Sequence, residues 1–286
     1  MHRWTSFAAR SVVILGIIAT SHADAQDLAK FTVSPAIPFE LVSDFLVVVK
    51  GQIGELYGLK FIVDTGATHS VVDRRVADKL RLQRRKGKVM NFDGYIPVEW
   101  VDLPDLRVGS LRSGALSVMV LKLAEYSEVA KDVDGIIGLD LLSKSKKLTI
   151  DYERNTLSFQ LADGGAGDRV HAGGFTIPFV VQGIIMSLVV DTGAQDVLLY
   201  RERIHKLLPK MRTQGESKEV ALGRLHATRV KLPDVRIGGR DEVTTVFMIN
   251  GPDDGALPGV DGYLGPSTLH AKRVEFDFAA KVLRWQ

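Results

Sequence analysis

Phe61-Ile62-Val63-Asp64-Thr65-Gly66-Ala67 and Leu188-Val189-Val190-Asp191-Thr192-Gly193-Ala194 are two copies of one pattern, an apolar run that ends in Asp-Thr-Gly-Ala. A second pattern follows each copy: Asp134-Gly135-Ile136-Ile137-Gly138, then Asp261-Gly262-Tyr263-Leu264-Gly265. Positions 64 and 191 lie 127 apart, and so do positions 134 and 261. Two further blocks keep the same order. Leu103-Pro104-Asp105-Leu106-Arg107-Val108-Gly109 matches Leu232-Pro233-Asp234-Val235-Arg236-Ile237-Gly238 at an offset of 129, and Leu148-Thr149-Ile150-Asp151-Tyr152 matches Val274-Glu275-Phe276-Asp277-Phe278 at 126. An offset that drifts by a residue or two is what small indels in surface turns produce. Ordered self-similarity of this kind marks a duplicated structural unit.

The repeat organises the chain. Its most Gly-rich break, Ala162-Asp163-Gly164-Gly165-Ala166-Gly167-Asp168, falls between the copies and reads as a linker over residues 162–172. The expected lobes are residues 31–161 and 173–286. Within them the apolar runs are short and rich in β-branched residues, as at Phe45-Leu46-Val47-Val48-Val49. Residues 148–152 and 156–159 alternate on either side of Glu153-Arg154-Asn155, which predicts a hairpin. Helix is expected from Arg74 to Leu82 and from Arg201 to Leu208, with short helices after Gly138 and Gly265. The predicted fold is all-β with minor helix: two similar, β-barrel-like lobes related by a pseudo-twofold axis.

Composition narrows the chemistry. The chain has 286 residues, 45% hydrophobic and 25% charged, the balance of a globular protein. A formal charge of +3 is too small to indicate a nucleic-acid binder, and the basic residues between Arg74 and Lys88 read as a solvated helix face with a basic loop. No cysteine is present, so disulfides, thiolate metal sites and thiol nucleophiles are excluded. The seven histidines show no metal-ligand spacing. At the N-terminus, Arg3 and Arg10 precede the apolar stretch Val12 to Ala19, and Ala23-Asp24-Ala25 offers a small-x-small cleavage site. Residues 1–25 are therefore expected to be a secretory signal peptide, leaving an exported chain with no membrane span, periplasmic in a Gram-negative bacterium and otherwise secreted.

Two carboxylates that share one proton can hydrolyse an amide without metal, cofactor or covalent nucleophile. The ionised partner takes a proton from water, while the protonated one donates to the carbonyl oxygen. Asp64 and Asp191 are the candidate pair. Thr65 and Thr192 offer hydroxyls to lock the two turns across the axis, and Gly66 and Gly193 allow a tight backbone with an amide close to each carboxylate. Asp134 and Asp261 read as structural turn residues.

On these motifs the chain resembles the retropepsin-like and pepsin-like aspartic peptidases over most of its length. The resemblance implies a single-chain, monomeric endopeptidase that acts on peptide or protein substrates and requires no cofactor, no metal and no nucleic acid. It also implies that the second motif of each lobe threads behind the aspartate turn. Ala67 and Ala194 look like the retropepsin branch. In that branch an Asp and an Arg pair beside each turn, whereas here the positions hold Thr68 and Leu139, and Gln195 and Pro266. Another contact must then brace the turns. The family also covers its cleft with hairpin flaps. Val89 to Val98 fits one, with Phe92, Gly94 and Tyr95 at its tip and Asp93-Gly94 as the turn, and Val220 to Leu225, with Leu222 and Gly223, fits the other. The alternative from another class is a catalytically silent exported peptide-binding or sensor module on the same fold.

Overall fold

A computed structural model describes residues 32–91, 94–126, 130–161, 175–207, 214–215, 218–220, 223–225, 227–249 and 259–286. The expected signal peptide and the 162–172 linker lie outside them. The described chain is predominantly strand and builds two similar lobes.

Each lobe is organised around the strand that delivers its aspartate. In the first lobe this is Leu56–Val63, which pairs antiparallel with Leu46–Ile53 across the turn at Gly54. After Asp64 the chain returns as Val71–Asp73. The short strand Gly135–Ile137 threads between the two, parallel to the first (Ile136 beside Ile62) and antiparallel to the second (Ile136 beside Val71). Only glycine fits at the entry to this slot, because a Cβ on Gly135 would stand 2.5 Å from the Val71 carbonyl oxygen. The second lobe repeats the arrangement. Gly262–Leu264 runs between Ile184–Val190 and Val197–Tyr200, with Tyr263 beside Val189 and Leu198. All three residues sit 127 positions after their first-lobe counterparts.

The Leu-Pro-Asp block of the repeat forms the corner that closes each lobe. Strand Ala227–Ile237 pairs with Arg240–Ile249 on both sides of a bulge between Leu232 and Val235, and after it pairs on its other edge with Thr176–Val181. That second pairing closes a ring of six strands, a small barrel. In the first lobe Gly94–Leu103 pairs with Leu116–Leu121, and past Pro104-Asp105 the chain continues as Leu106–Val108 against Leu46–Ile53. Gly109 and Gly238 end the two corners at φ +56 and +55, a region that favours glycine.

The lobes are joined by a sheet that crosses the axis. The hairpin Lys147–Asp151 with Thr156–Leu161 forms as the alternation predicts. Its first strand also pairs antiparallel with Arg273–Asp277, Leu148 beside Phe276 and Ile150 beside Val274. Leu148 and Val274 are repeat equivalents, as are Ile150 and Phe276. The strand therefore pairs with its own copy, the self-complementary contact that a twofold axis produces. One apolar core runs through both lobes and this sheet, taking in Val63, Ile137, Leu148, Ile150, Phe159, Val190, Leu264 and Phe276.

Helix is sparse. Arg74–Lys79 is capped by Asp73, whose carboxylate accepts the Arg75 N–H at 2.8 Å. It ends short of the expected Leu82, because Arg81 turns left-handed at φ +53. Arg201–Leu207 forms, and so do the short helices after the glycines: Leu139–Leu142 after Gly138, and the 3₁₀ turn Pro266–Leu269 after Gly265. The basic stretch beside the first helix is laced with ion pairs. Arg74 and Arg84 meet Glu99, and Arg85 meets Asp102.

Candidate active site

The threading strands hold the aspartate turns in place. Asp64 N–H donates to the Ile137 carbonyl at 3.0 Å, and Asp191 N–H to the Leu264 carbonyl at 2.9 Å. At the other end of each threading strand, Asp134 and Asp261 tie it to the aspartate strand. The Asp134 carboxylate accepts Lys60 N–H at 2.9 Å and its own N–H donates to Lys60 O at 2.7 Å; Asp261 does the same with Ser187 at 2.9 and 2.8 Å.

Between the lobes the two threonines interlock. Thr65 N–H donates to Thr192 Oγ1 at 3.0 Å, and that hydroxyl donates onward to Val63 O at 2.7 Å. Thr192 N–H donates to Thr65 Oγ1 at 3.1 Å, and that hydroxyl donates to Val190 O at 2.9 Å. Every donor and acceptor of this buried square belongs to a turn or to the residue before it, so the square fixes one turn against the other. The glycines then let the carboxylates approach. A Cβ on Gly66 would overlap the Asp191 carboxylate, and one on Gly193 would lie 2.7 Å from Asp64 Oδ2.

Asp64 and Asp191 are within hydrogen-bonding contact of each other. Their surroundings differ. Asp64 is 2% exposed, and its Oδ1 accepts two N–H groups of its own turn, Gly66 at 2.9 Å and Ala67 at 3.0 Å. Asp191 accepts the Gly193 N–H at 2.7 Å, while Ala194 N–H turns to the Asp191 backbone carbonyl at 3.1 Å. Burial raises the pKa of Asp64, opposed by the hydrogen bonds from Asp191, Gly66 and Ala67. Burial raises Asp191 further, well above the usual carboxylate range, and the charge of Asp64 adds to the rise. The two carboxylates therefore titrate as one coupled pair, and the two N–H groups on Asp64 favour Asp191 as the bearer of a shared proton.

The braces that replace the absent ion pair were not legible as such. In the first lobe Asp140 takes the Ser70 N–H at 2.9 Å and the Ser70 hydroxyl at 2.5 Å, and the Ser70 oxygen accepts Gly138 N–H at 3.0 Å. In the second, the counterpart of Asp140 is Ser267, whose hydroxyl donates to Gln195 O at 2.8 Å. The repeat offset aligned these positions, but nothing in the sequence said which atoms would meet.

The first flap candidate is a hairpin of Arg85–Asn91 with Gly94–Leu103. Asn91 stands opposite Gly94, so Gly94 belongs to the strand and not to the Asp93-Gly94 turn that was expected; Asp93 lies outside the described residues. Phe92 lies outside the described residues. Tyr95 is 69% exposed, on the face that also carries Lys86, Lys88 and Pro97. The opposite face carries Val89, Ile96, Val98 and Trp100, and the Trp100 ring meets His69 edge-on at 5.1 Å. That contact ties the base of the hairpin to the aspartate turn region, so the apolar face is the one that turns towards it. In the second lobe Lys218–Val220 pairs with Gly223–Leu225, Val220 opposite Gly223, the same register 129 residues on. Leu222 lies outside the described residues. Among the described residues no group of three His, Asp or Glu could hold a metal ion, and no helix is long and apolar enough to cross a membrane.

A sequence model of the family described as aspartyl protease matches residues 49–141 and 177–268, together more than half of the chain. No curated protein sequence matches. Similar solved structures include a retropepsin-like aspartic protease from Rickettsia conorii, 18% identical, covering 46% of this chain and 96% of that one with a TM-score of 0.32. Another is the aspartic proteinase from Irpex lacteus, 16% identical, covering 88% of this chain and 96% of that one with a TM-score of 0.49.

Proposed function

The chain belongs to the aspartyl protease family, and on that premise we propose that it is an endopeptidase whose Asp64 and Asp191 activate a water between the lobes. One observation carries the reading: a buried Asp64 carboxylate and a half-buried Asp191 carboxylate in hydrogen-bond contact, each backed by the glycine of the opposite turn. Asp64, favoured as the ionised partner by two backbone N–H groups, takes a proton from the water. Asp191 gives its proton to the scissile carbonyl oxygen, and the water oxygen bonds to the carbonyl carbon. As the tetrahedral diol collapses, the C–N bond breaks, the proton held on Asp64 passes to the leaving nitrogen, and one diol hydroxyl returns its proton to Asp191, which restores the starting pair. The hairpin over residues 85–103, and its second-lobe counterpart, would close over the peptide and exclude water. The same reading has residues 1–25 removed on export.

Digestion of a peptide library by the protein lacking residues 1–25 tests the proposal. Cleavage is expected, with kcat reduced by about 10³-fold or more in both Asp64→Asn and Asp191→Asn. The double variant should be little worse than either single one, because either loss removes the shared proton. Binding of peptides without cleavage, or a single variant with wild-type turnover, would sink the mechanism.

A further inference from the structure

A two-stranded hairpin has little stability of its own, so whatever fixes the angle of the one over residues 85–103 decides where it stands. Its second strand, Gly94–Leu103, is held by the body of the first lobe only as far as Glu99, which lies opposite Val120. From Val98 to Gly94 it pairs with Arg85–Asn91 alone. Trp100, opposite Met119, therefore sits at the branch point where the hairpin leaves the sheet. Its ring reaches across to the other strand at Gly87, where a Cβ would stand 2.5 Å from Trp100 Nε1. Only a residue without a side chain leaves room for the indole there, so the ring packs on both strands of the hairpin.

The same ring meets the His69 imidazole edge-on, with centroids 5.1 Å apart. His69 follows the Asp64 turn, and the backbone on either side of it is pinned. Ala67 O accepts Leu139 N–H at 2.8 Å, Thr68 O accepts Asp140 N–H at 3.2 Å, and Ser70 O accepts Met119 N–H at 3.0 Å. An imidazole on such a backbone is a fixed post. Its Nδ1 is 4.0 Å from Asp140 Oδ2, beyond hydrogen-bond range, so the ring contact is what joins it to the hairpin. The second lobe does not repeat the device. At the offset of 127 His69 becomes Asp196, and at the hairpin offset of 129 Trp100 becomes Arg229 and Gly87 becomes Glu216. Arg229 still stands opposite Gln214, as Trp100 stands opposite Arg85, but neither it nor Asp196 can supply an aromatic ring.

Resting on the peptidase reading above, we propose that His69 and Trp100 are positioning residues: their ring contact sets the angle at which the first-lobe hairpin stands over the aspartate turn, and so holds a bound peptide against the dyad. Neither ring needs to touch the reacting atoms. An edge-to-face aromatic contact is strong enough to bias the hairpin several-fold towards one angle. When only that fraction of molecules is competent to bind, apparent affinity falls in proportion as the fraction falls. Loss of the contact therefore weakens binding and leaves the chemistry of the bound peptide unchanged.

The test compares wild type, His69→Ala, His69→Phe and Trp100→Ala on one cleavable peptide, each lacking residues 1–25 and checked for folding by thermal melting. His69→Ala is expected to raise KM about threefold to tenfold, with kcat and the acid limb of the pH profile unmoved. His69→Phe keeps a ring in place and should restore most of the affinity. Trp100→Ala should match His69→Ala, and the double variant should be no worse than either, because both remove one contact. A folded His69→Ala with wild-type KM, or a His69→Phe as impaired as His69→Ala, overturns the assignment. A second readout needs no cleavage. In a Trp285→Phe background without residues 1–25, Trp100 is the one tryptophan left. Its emission should move to longer wavelength in His69→Ala, as water reaches the ring, and return in His69→Phe. An unmoved emission overturns the contact. Absence of cleavage by wild type with the emission shift intact would instead overturn the peptidase reading and leave the hairpin anchor standing.

Discussion

Asp191 is placed where an ionised carboxylate is expensive, and this has a consequence for stability. Its pKa in the folded chain lies well above that of an exposed carboxylate, ~3.9. Below that ordinary value both folded and unfolded chains hold the proton, and the stabilising contribution of the raised pKa is fully present. As pH rises the unfolded chain releases its proton first, and the contribution is lost through the folded pKa. Near neutral pH the dyad therefore weakens the fold it serves. Asp191→Asn removes the ionisation, and its Tm should exceed that of wild type at pH 7, with the gain fading as pH falls below about 4. A Tm that is equal or lower at pH 7 would count against the raised pKa. A second residue-scale expectation concerns Ala67 and Ala194, which bring no hydroxyl to the turns. Serine at both positions could donate to the ionised pair and lower its first apparent pKa. The acid limb of kcat/KM should then move to lower pH from a mildly acidic position. An unmoved limb in a folded double variant would remove the hydroxyl argument and leave the dyad standing.

At the scale of elements, the threading strand is held at both ends, and the first lobe has the stronger clamp. Ser70 is fully buried and its oxygen serves both Asp140 and Gly138. Ser70→Ala leaves a buried N–H and a carboxylate oxygen without their partner, which costs about 1–3 kcal/mol for a buried polar group. A urea midpoint lowered to that extent, with an unchanged m-value, is the expected result. The equivalent second-lobe position is Val197, an apolar residue, so the two aspartate turns and their threading strands differ in how they are braced although the strands match. The hairpins over residues 85–103 and 218–225 show the converse. Their registers agree at an offset of 129, while their sequences share little, because backbone pairing dictates register more strictly than side-chain identity.

For the whole molecule, the self-paired strands Lys147–Asp151 and Arg273–Asp277, the buried threonine square and a continuous core all cross the axis. Neither lobe can lose its packing without exposing the other. Unfolding is therefore expected to be one cooperative transition, with calorimetric and van't Hoff enthalpies equal, where two beads on a linker would give two. Two resolved transitions would show that the shared sheet contributes little.

The duplication, the two-lobed β architecture and the aspartate turns could be read from the chain alone, because each depends on local chemistry repeated in order. Asp-Thr-Gly needs a tight turn, whereas the corners that end in Gly109 and Gly238 showed only as a repeated block until the strand pairings placed them. The end of the first helix at Lys79, the pairing of Gly94 with Asn91, the Ser70–Asp140 clamp and the phenol pair of Tyr200 and Tyr263 could not. Each of these is settled by a neighbour distant in the chain or by the register of a partner strand. A residue type states what it can bond, but only the closed tertiary structure decides which of several competent partners arrives. The unequal environments of Asp64 and Asp191 make the same point: two identical tetrapeptides acquire different proton affinities from the atoms that the fold brings around them.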